Sequence, residues 1–467
     1  MLTYTFSKSG AVSLYEQLYR AIKEDILAGR LTAGEKLPSK RTLSAHLEIS
    51  VITVKTAYEQ LVAEGYLYAV EKKGYYVAAV EKPLQTVSPV REKEEGPERQ
   101  WRMDFGANTV SEGDFPFSVW TRLMRQTILE QDTALLRPTP PNGALALRQA
   151  ICDNLRQFRG MAVSPGQVIV GAGTEVLYNM LVQLLGRDKC YAVEDPGYSK
   201  IARIYEGNQV KLRRIGLDDK GLDVGRLRRT EADVVHISPS HHYPTGIVMP
   251  IGRRQELLRW AGEKPGRYIL EDDYDSEFRF VGRPIPTLFS VDENRRVIYL
   301  NTFSKTIAPS IRISYMVLPP ELVETFRQKL GFYTCTVSGF EQYTLAQFMA
   351  RGHYEQHLNR MRKRYHQKRD AVIDIIRRSG LPAKITEQDA GLHFLMTLQT
   401  ELPDEALRQK AAEKDLRLAF LSDYYGDRRQ TPSHVLVVNY SGIDLKELPS
   451  ALTYLRCIME EKICTMN

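Results

Sequence analysis

The feature that most limits what this chain can fold into is a stretch that cannot fold by itself. Residues 81–103 begin EKPLQTVSPVREKEEGPERQ, with three prolines, dense charge and few large apolar side chains. Such a segment buries too little apolar surface to offset the entropy lost on ordering it. It reads as a linker, partly extended by its prolines. The 467-residue chain is thereby divided into a short unit, residues 1–80, and a large one, residues 104–467. The 64 basic and 57 acidic residues leave a formal net charge of +7, which permits an acidic partner without requiring one. The most apolar long segment, roughly 168–186, is broken by Glu175, Asn179 and Gln183, so no membrane span is expected. The amino-terminal residues show no secretion-signal pattern. Five scattered cysteines lack CxxC or zinc spacing, so reduced thiols, no metal and a cytoplasmic location are expected.

In the short unit, Leu14, Leu18, Ile22 and Ile26 recur every four residues and predict a helix with one apolar face. Pro38-Ser39 opens a second helix carrying Leu43 and Leu47. Ser50 is a suitable N-cap for a third, with Val54, Ala57, Tyr58 and Leu61 inward. Gly65 ends it, and two β-patterned runs, Tyr66–Val70 and Tyr75–Val80, flank the turn EKKG. This is the element order of a winged helix-turn-helix. That geometry places the start of the third helix in the major groove of double-stranded DNA. Ser50, Thr53 and Lys55 would then reach bases or phosphates, and Ser39, Lys40, Arg41, Lys72 and Lys73 would hold the backbone. A helical protein-interaction module with a basic face is the alternative.

The segments GEKLPSKRTLSAHLEIS and TVKTAYEQLVAEGYLYAVEKKGYYV resemble the GntR-type winged helix over about 65 residues. Relatives usually carry Arg after the serine that opens the third helix, whereas this chain has Val51. Valine can touch a thymine methyl but cannot make a bidentate guanine contact.

In the large unit, five apolar runs each lead into a polar turn. Val168–Val170 leads into GAGTE, Cys190–Val193 into EDPGY, Asp233–Ile237 into SPSHHYPTG, Tyr268–Leu270 into EDDYDSEF and Val297–Leu300 into NTFSKT. Strands alternating with helices imply an α/β fold with a mostly parallel, doubly wound sheet. Ligands of such sheets sit beyond the carboxyl ends of the strands, so the five turns should converge. The turn ending in Thr174 and Glu175 offers free amides at a helix start, suited to a phosphate, and Arg312 adds a fixed cation. Tyr198 presents a face for a flat ring. Asp272 can pair with a protonated ring nitrogen, and Tyr274 can donate to a ring oxygen. Lys305 supplies an amine for an imine link. Each alone has an ordinary structural reading; together they point to pyridoxal 5′-phosphate.

The order of these motifs resembles fold-type I aminotransferases. More sharply, it resembles the MocR/GabR family of regulators, in which a GntR-type winged helix precedes an aminotransferase-like domain. The resemblance implies Lys305 as the internal aldimine, Asp272 on the ring nitrogen, Tyr274 on the ring oxygen and Tyr198 stacked. It puts Thr174, Thr302, Ser304 and Arg312 on or near the phosphate, and a smaller C-terminal subdomain at about 330–467. It further implies a domain-swapped, head-to-tail homodimer and a small amino-compound effector, either a GABA-like amino acid or pyridoxal phosphate itself. Three departures stand out. Tyr243 replaces the usual Asn, and His242 replaces a common Gln. The run Val437-Val438-Asn439-Tyr440 lacks the arginine that grips a substrate carboxylate, for which only the loop pair Arg428 and Arg429 offers a substitute. The expectation is therefore a pyridoxal-phosphate-dependent transcription regulator with at most weak transaminase activity. An active aminotransferase with an attached DNA-binding domain is the alternative.

Overall fold

Leu18, Ile22 and Ile26 lie buried along α1 (Leu14–Leu27), as their spacing predicts. α2 (Lys40–Leu47) starts at Ser39, whose side chain accepts from the Thr42 amide, and ends where Glu48 turns left-handed. α3 (Val51–Ala63) starts at Ser50, which accepts from the Thr53 amide. β1 (Leu67–Val70) and β2 (Gly74–Val77) pair antiparallel, with Leu67 opposite Val77. Leu18, Ile22, Leu43, Val54, Tyr58, Leu61 and Val77 close one small core beneath them.

The computed structural model describes residues 2–6, 12–80, 99–107, 113–130, 132–280, 285–386, 391–427 and 431–460. They divide into two compact units, Met1–Glu98 and Arg99–Asn467. Residues 81–98 of the expected linker lie outside the described residues. The last five, 99–103, are docked on the large unit: Arg99 pairs with Asp415 at 3.0 Å and Arg102 with Glu447 at 2.7 Å. The charge of Arg99 and Arg102 is matched there by carboxylates far along the chain.

In the large unit, β3 (Met103–Asp104) leads to the strands β4 (Val168–Gly171), β5 (Cys190–Asp195), β6 (Lys211–Asp218), β7 (Gly221–Leu222), β8 (Val234–Ile237), β9 (Tyr268–Asp272), β10 (Val297–Thr302) and β11 (Ser314–Val317). The last eight form one sheet in the order β4-β11-β10-β9-β8-β5-β6-β7. β5, β6, β8, β9 and β10 run parallel, while β11 is antiparallel to both β10 and β4. β8 and β10 are buried along their full length and β5 along all but its last residue, which explains their apolar runs.

A separate core gathers Met361, Phe394, Leu436 and Leu452. It lies among the helix His353–Arg378, the antiparallel strands β12 (Ala383–Thr386) and β13 (His393–Leu398), the short β14 (Leu416–Arg417), β15 (Val435–Asn439) and the helix Leu448–Met459. β14 pairs with β3, tying the start of the unit to this part. Cys152, Cys190 and Cys335 are buried free thiols, but Cys457 is disulfide-bonded, unlike the five thiols expected. Among the described residues no helix is long and apolar enough to cross a membrane.

Candidate functional sites

The five polar turns meet at the carboxyl ends of the strands around a cavity of about 570 Å³. Thr174, Glu175, Tyr198, Asp272, Tyr274, Thr302, Ser304, Lys305 and Arg312 all line it.

Asp272, at the end of β9, is 5% exposed. Its Oδ2 accepts from the Tyr178 hydroxyl at 2.5 Å and lies 3.4 Å from His236 Nε2. His236 Nδ1 in turn meets the Tyr205 hydroxyl at 2.8 Å. All the neighbours thus gather on one carboxylate oxygen, and the buried Oδ1 has no partner. A buried carboxylate oxygen left without a donor is costly. It fits a group that brings a donor of its own, such as a protonated ring nitrogen. The sequence reading missed Tyr178 and His236. The signal for His236 was a polar residue inside the otherwise apolar VVHI strand; Tyr178 lies one helical turn beyond Thr174.

Lys305 Nζ makes no hydrogen bond or ion pair among the described residues. Burial depresses its pKa, with Asp275 opposing and Lys200 adding to the fall. The Tyr274 hydroxyl, kept protonated by burial and nearby carboxylates, lies 3.3 Å from His241 Nδ1. That nitrogen also meets Asp275 Oδ2 at 2.9 Å, and His393 Nε2 bonds the Pro244 carbonyl at 3.0 Å. In the His241, Asp275 and His393 cluster, His241 is thus tied to Asp275 and His393 to the backbone, and two arginines, Arg159 and Arg279, share the small space beside it.

At the opposite end, Gly173 precedes the helix Thr174–Leu185 with φ +94, and a side chain there would strike the Arg312 guanidinium. Arg312 follows the turn Pro309–Ile311 in a left-handed conformation and is paired with Glu175. Lys200 reaches Glu175 at 3.0 Å. Burial pushes the Glu175 carboxyl up, but Lys200, its own amide and Arg312 outweigh it and hold the pKa at about 2. Glu175 thus orients two cations and presents no donor of its own to a phosphate. Thr302 Oγ1 accepts from the Ser304 amide at 3.1 Å and meets Ser314 Oγ at 2.8 Å, while the buried Ser304 Oγ has no partner. A cation, helix-start amides and an unsatisfied hydroxyl make a fitting phosphate cradle.

Tyr198 is 43% exposed, with its ring edge-on to Tyr243. Tyr243 gives its hydroxyl to a 2.8 Å contact with Tyr424, a pairing the sequence did not disclose. Tyr424 belongs to a segment that touches the EDPGY turn twice: the Gly197 amide bonds the Tyr424 carbonyl, and the Gly426 amide bonds Asp195. Val437 is buried against Leu395 and Leu421, so no cation enters the cavity from that position. Arg428 and Arg429 lie outside the described residues. Glu194 Oε2 accepts from the Ser238 amide at 2.9 Å and lies 3.5 Å from His242 Nε2. Burial raises the Glu194 pKa to about 8 and lowers that of His242 to about 3.

In the small unit the residues expected to contact DNA make local contacts. Ser50 Oγ and Thr53 Oγ1 lie 2.8 Å apart, and Ser50 Oγ also accepts from the Thr53 amide. Ser39 makes the same arrangement with Thr42. Ser39 and Ser50 thus cap their helices, each accepting from the amide three residues on. Lys55 is paired with Glu59 at 3.7 Å, and Lys40 donates to the Tyr75 hydroxyl at 3.3 Å. Arg41, Lys72 and Lys73 are exposed.

Residues 14–77 match the family described as bacterial regulatory proteins, gntR family, and residues 101–424 match aminotransferase class I and II. The chain is similar to the uncharacterized HTH-type transcriptional regulator YdeL of Bacillus subtilis, with 36% identity covering 95% of this chain and 96% of the relative. It is 31% identical to the probable rhizopine catabolism regulatory protein MocR of Rhizobium meliloti, over 95% and 93% of the two chains. Among solved structures it resembles Pyrococcus horikoshii kynurenine aminotransferase, with TM-score 0.68 and 22% identity, over 78% of this chain and 92% of that one.

Proposed function

The chain belongs to the MocR/GabR family of transcription regulators, a GntR winged helix joined to an aminotransferase class I and II domain, and from that premise we propose that the cavity of the large unit senses an amino compound. The small unit binds double-stranded DNA. The large unit carries pyridoxal 5′-phosphate. That cofactor supplies a carbonyl carbon that bonds amines reversibly and a ring that withdraws electrons when protonated.

The carrying observation is the unpaired Oδ1 of Asp272, buried in the same cavity as the unpaired Lys305 amine. Asp272 would keep the ring nitrogen protonated, and Lys305 would hold the carbonyl carbon. Tyr274 would donate to the ring oxygen and Tyr198 would cover one face. Thr174, Thr302, Ser304 and Arg312 would take the phosphate, with Glu175 fixing Arg312. The effector, a GABA-like amino acid or the cofactor itself, competes for the Lys305 position or fills the cavity. A coupling of about 1–3 kcal/mol to DNA binding would then suffice for regulation. The protein acts as a head-to-tail homodimer. Support comes from large apolar side chains left open on α4 (Phe117–Glu130) and the Gly331–Tyr333 turn, including Phe117, Leu129 and Phe332.

The test combines spectroscopy and DNA retardation. Purified protein should show a visible absorption band that borohydride bleaches, and candidate amines should change retardation of the chain's own upstream DNA. Absence of the band removes the cofactor reading. Steady turnover of an amino donor with a 2-oxo acid would replace the sensor by an aminotransferase.

A further inference from the structure

We infer that the first turn of α3 reads thymine methyl groups through Val51 and Ile52, so the base step it contacts is A·T. This rests on the small unit binding DNA and adds which chemical feature of the duplex it recognises.

The hydroxyls at this helix start are drawn into local contacts, but Ser50 and Thr53 share a single O–H···O bond, so one O–H of the pair stays free to donate. Ser50 and Thr53 are tied to each other and to the Thr53 amide. Thr56 Oγ1 donates to the Ile52 carbonyl at 3.0 Å. Lys55 is engaged by Glu59 one turn on. Beyond that one O–H and the exposed Lys55 ammonium, the leading turn presents apolar surface: Ile52 is 74% exposed and Val51 43%, while Val54, Ala57 and Tyr58 fill the core on the other side. Branched side chains on the leading turn of a groove-entering helix make poor partners for carbonyl and amino edges. The thymine C5-methyl is the one apolar group a base pair presents in the major groove. The small unit's cations Lys40, Arg41, Lys72 and Lys73 complement phosphates, which fix register without conveying sequence. The apolar share of discrimination at this step therefore falls to Val51 and Ile52.

The experiment selects duplexes from a random pool with the full-length protein, then replaces each thymine of the selected site by deoxyuridine, which removes only the methyl. One or two positions per half-site should lose affinity by about fourfold, the value of one buried methyl-sized group. That sensitivity should disappear in Ile52→Ala or Val51→Ala, closing a double-mutant cycle. Both side chains are exposed, so alanine takes nothing from the core. Val51→Arg should shift the selected base at its position toward guanine. A selected site indifferent to deoxyuridine at every thymine overturns the inference, as does a sensitivity that persists in both alanine variants. Failure to select any duplex overturns it together with the DNA-binding reading, and the two failures are thereby told apart.

Discussion

The two units treat buried polarity in opposite ways. Among the described residues of the small unit, no buried side-chain polar atom lacks a partner: Ser44 donates to the Ile49 carbonyl and the Tyr58 hydroxyl to the Pro38 carbonyl. At the strand ends of the large unit, Asp272 Oδ1, Glu194 Oε1, His241 Nε2, His242 Nε2 and Ser304 Oγ are all buried without partners. A module that acts through its surface can satisfy its interior completely. A module that takes a ligand inside must leave donors and acceptors open for it, at a cost in the empty state.

The sharpest way to break this contrast is at Lys305. Lys305→Ala should abolish the borohydride-sensitive band completely and with it any change in DNA retardation on adding amines. A variant that keeps the band, or keeps the effector response, would show that the open groups of the cavity serve something else. Asp272→Asn comes next. It keeps shape but removes the charge facing the ring, and should weaken cofactor binding by about 2–3 kcal/mol, roughly 30- to 150-fold. An unchanged cofactor affinity, measured by spectral titration, would mean that Oδ1 is unpartnered for another reason.

Glu194 gives a smaller effect with a defined sign. Its carboxyl, raised to about 8 by burial, ionises near 4.5 once unfolded. Between those values the unfolded chain has released a proton that the folded one keeps, so stability falls as pH rises and levels off above about 8. His242, lowered to about 3 by burial, acts in the opposite sense, but its effect is complete above its unfolded value of 6.5. Across pH 6.5–8 the wild type should therefore lose stability relative to Glu194→Gln, by at most about 1.4 kcal/mol per pH unit. Parallel denaturation profiles for the two proteins would contradict a protonated Glu194.

What the sequence disclosed follows from distance along the chain. The residues proposed to hold the cofactor sit within a few positions of the strand that delivers them, so a strand pattern followed by a polar turn predicts their place in the cavity. Asp272, Tyr274 and Lys305 are of this kind. Tyr243 and Tyr424 are 181 residues apart, and nothing local marks either as the other's partner. Tyr178 and His236 share Asp272 Oδ2 from a helix and a neighbouring strand, a convergence set by the sheet order. Arg99 and Arg102 likewise meet Asp415 and Glu447, more than 300 residues along the chain, where β3 pairs with β14. In the small unit, Ser39 and Ser50 were correctly placed as helix starts, yet a serine at a helix start serves the backbone before any ligand.

That last point can be tested at Ser50, where the smallest effect is expected. Its hydroxyl satisfies the Thr53 amide, one of the donors a helix leaves open at its first turn. Ser50→Ala removes that acceptor and also frees Thr53 Oγ1 from its 2.8 Å contact. The unfolding free energy of the small unit should fall by about 1 kcal/mol. Base preference in selected duplexes should stay the same, because the side chains facing outward, Val51 and Ile52, are untouched. A change of preference without loss of stability would make Ser50 a base reader. It would also remove the contrast between the units, since a satisfied polar group would then be the one that recognises the ligand.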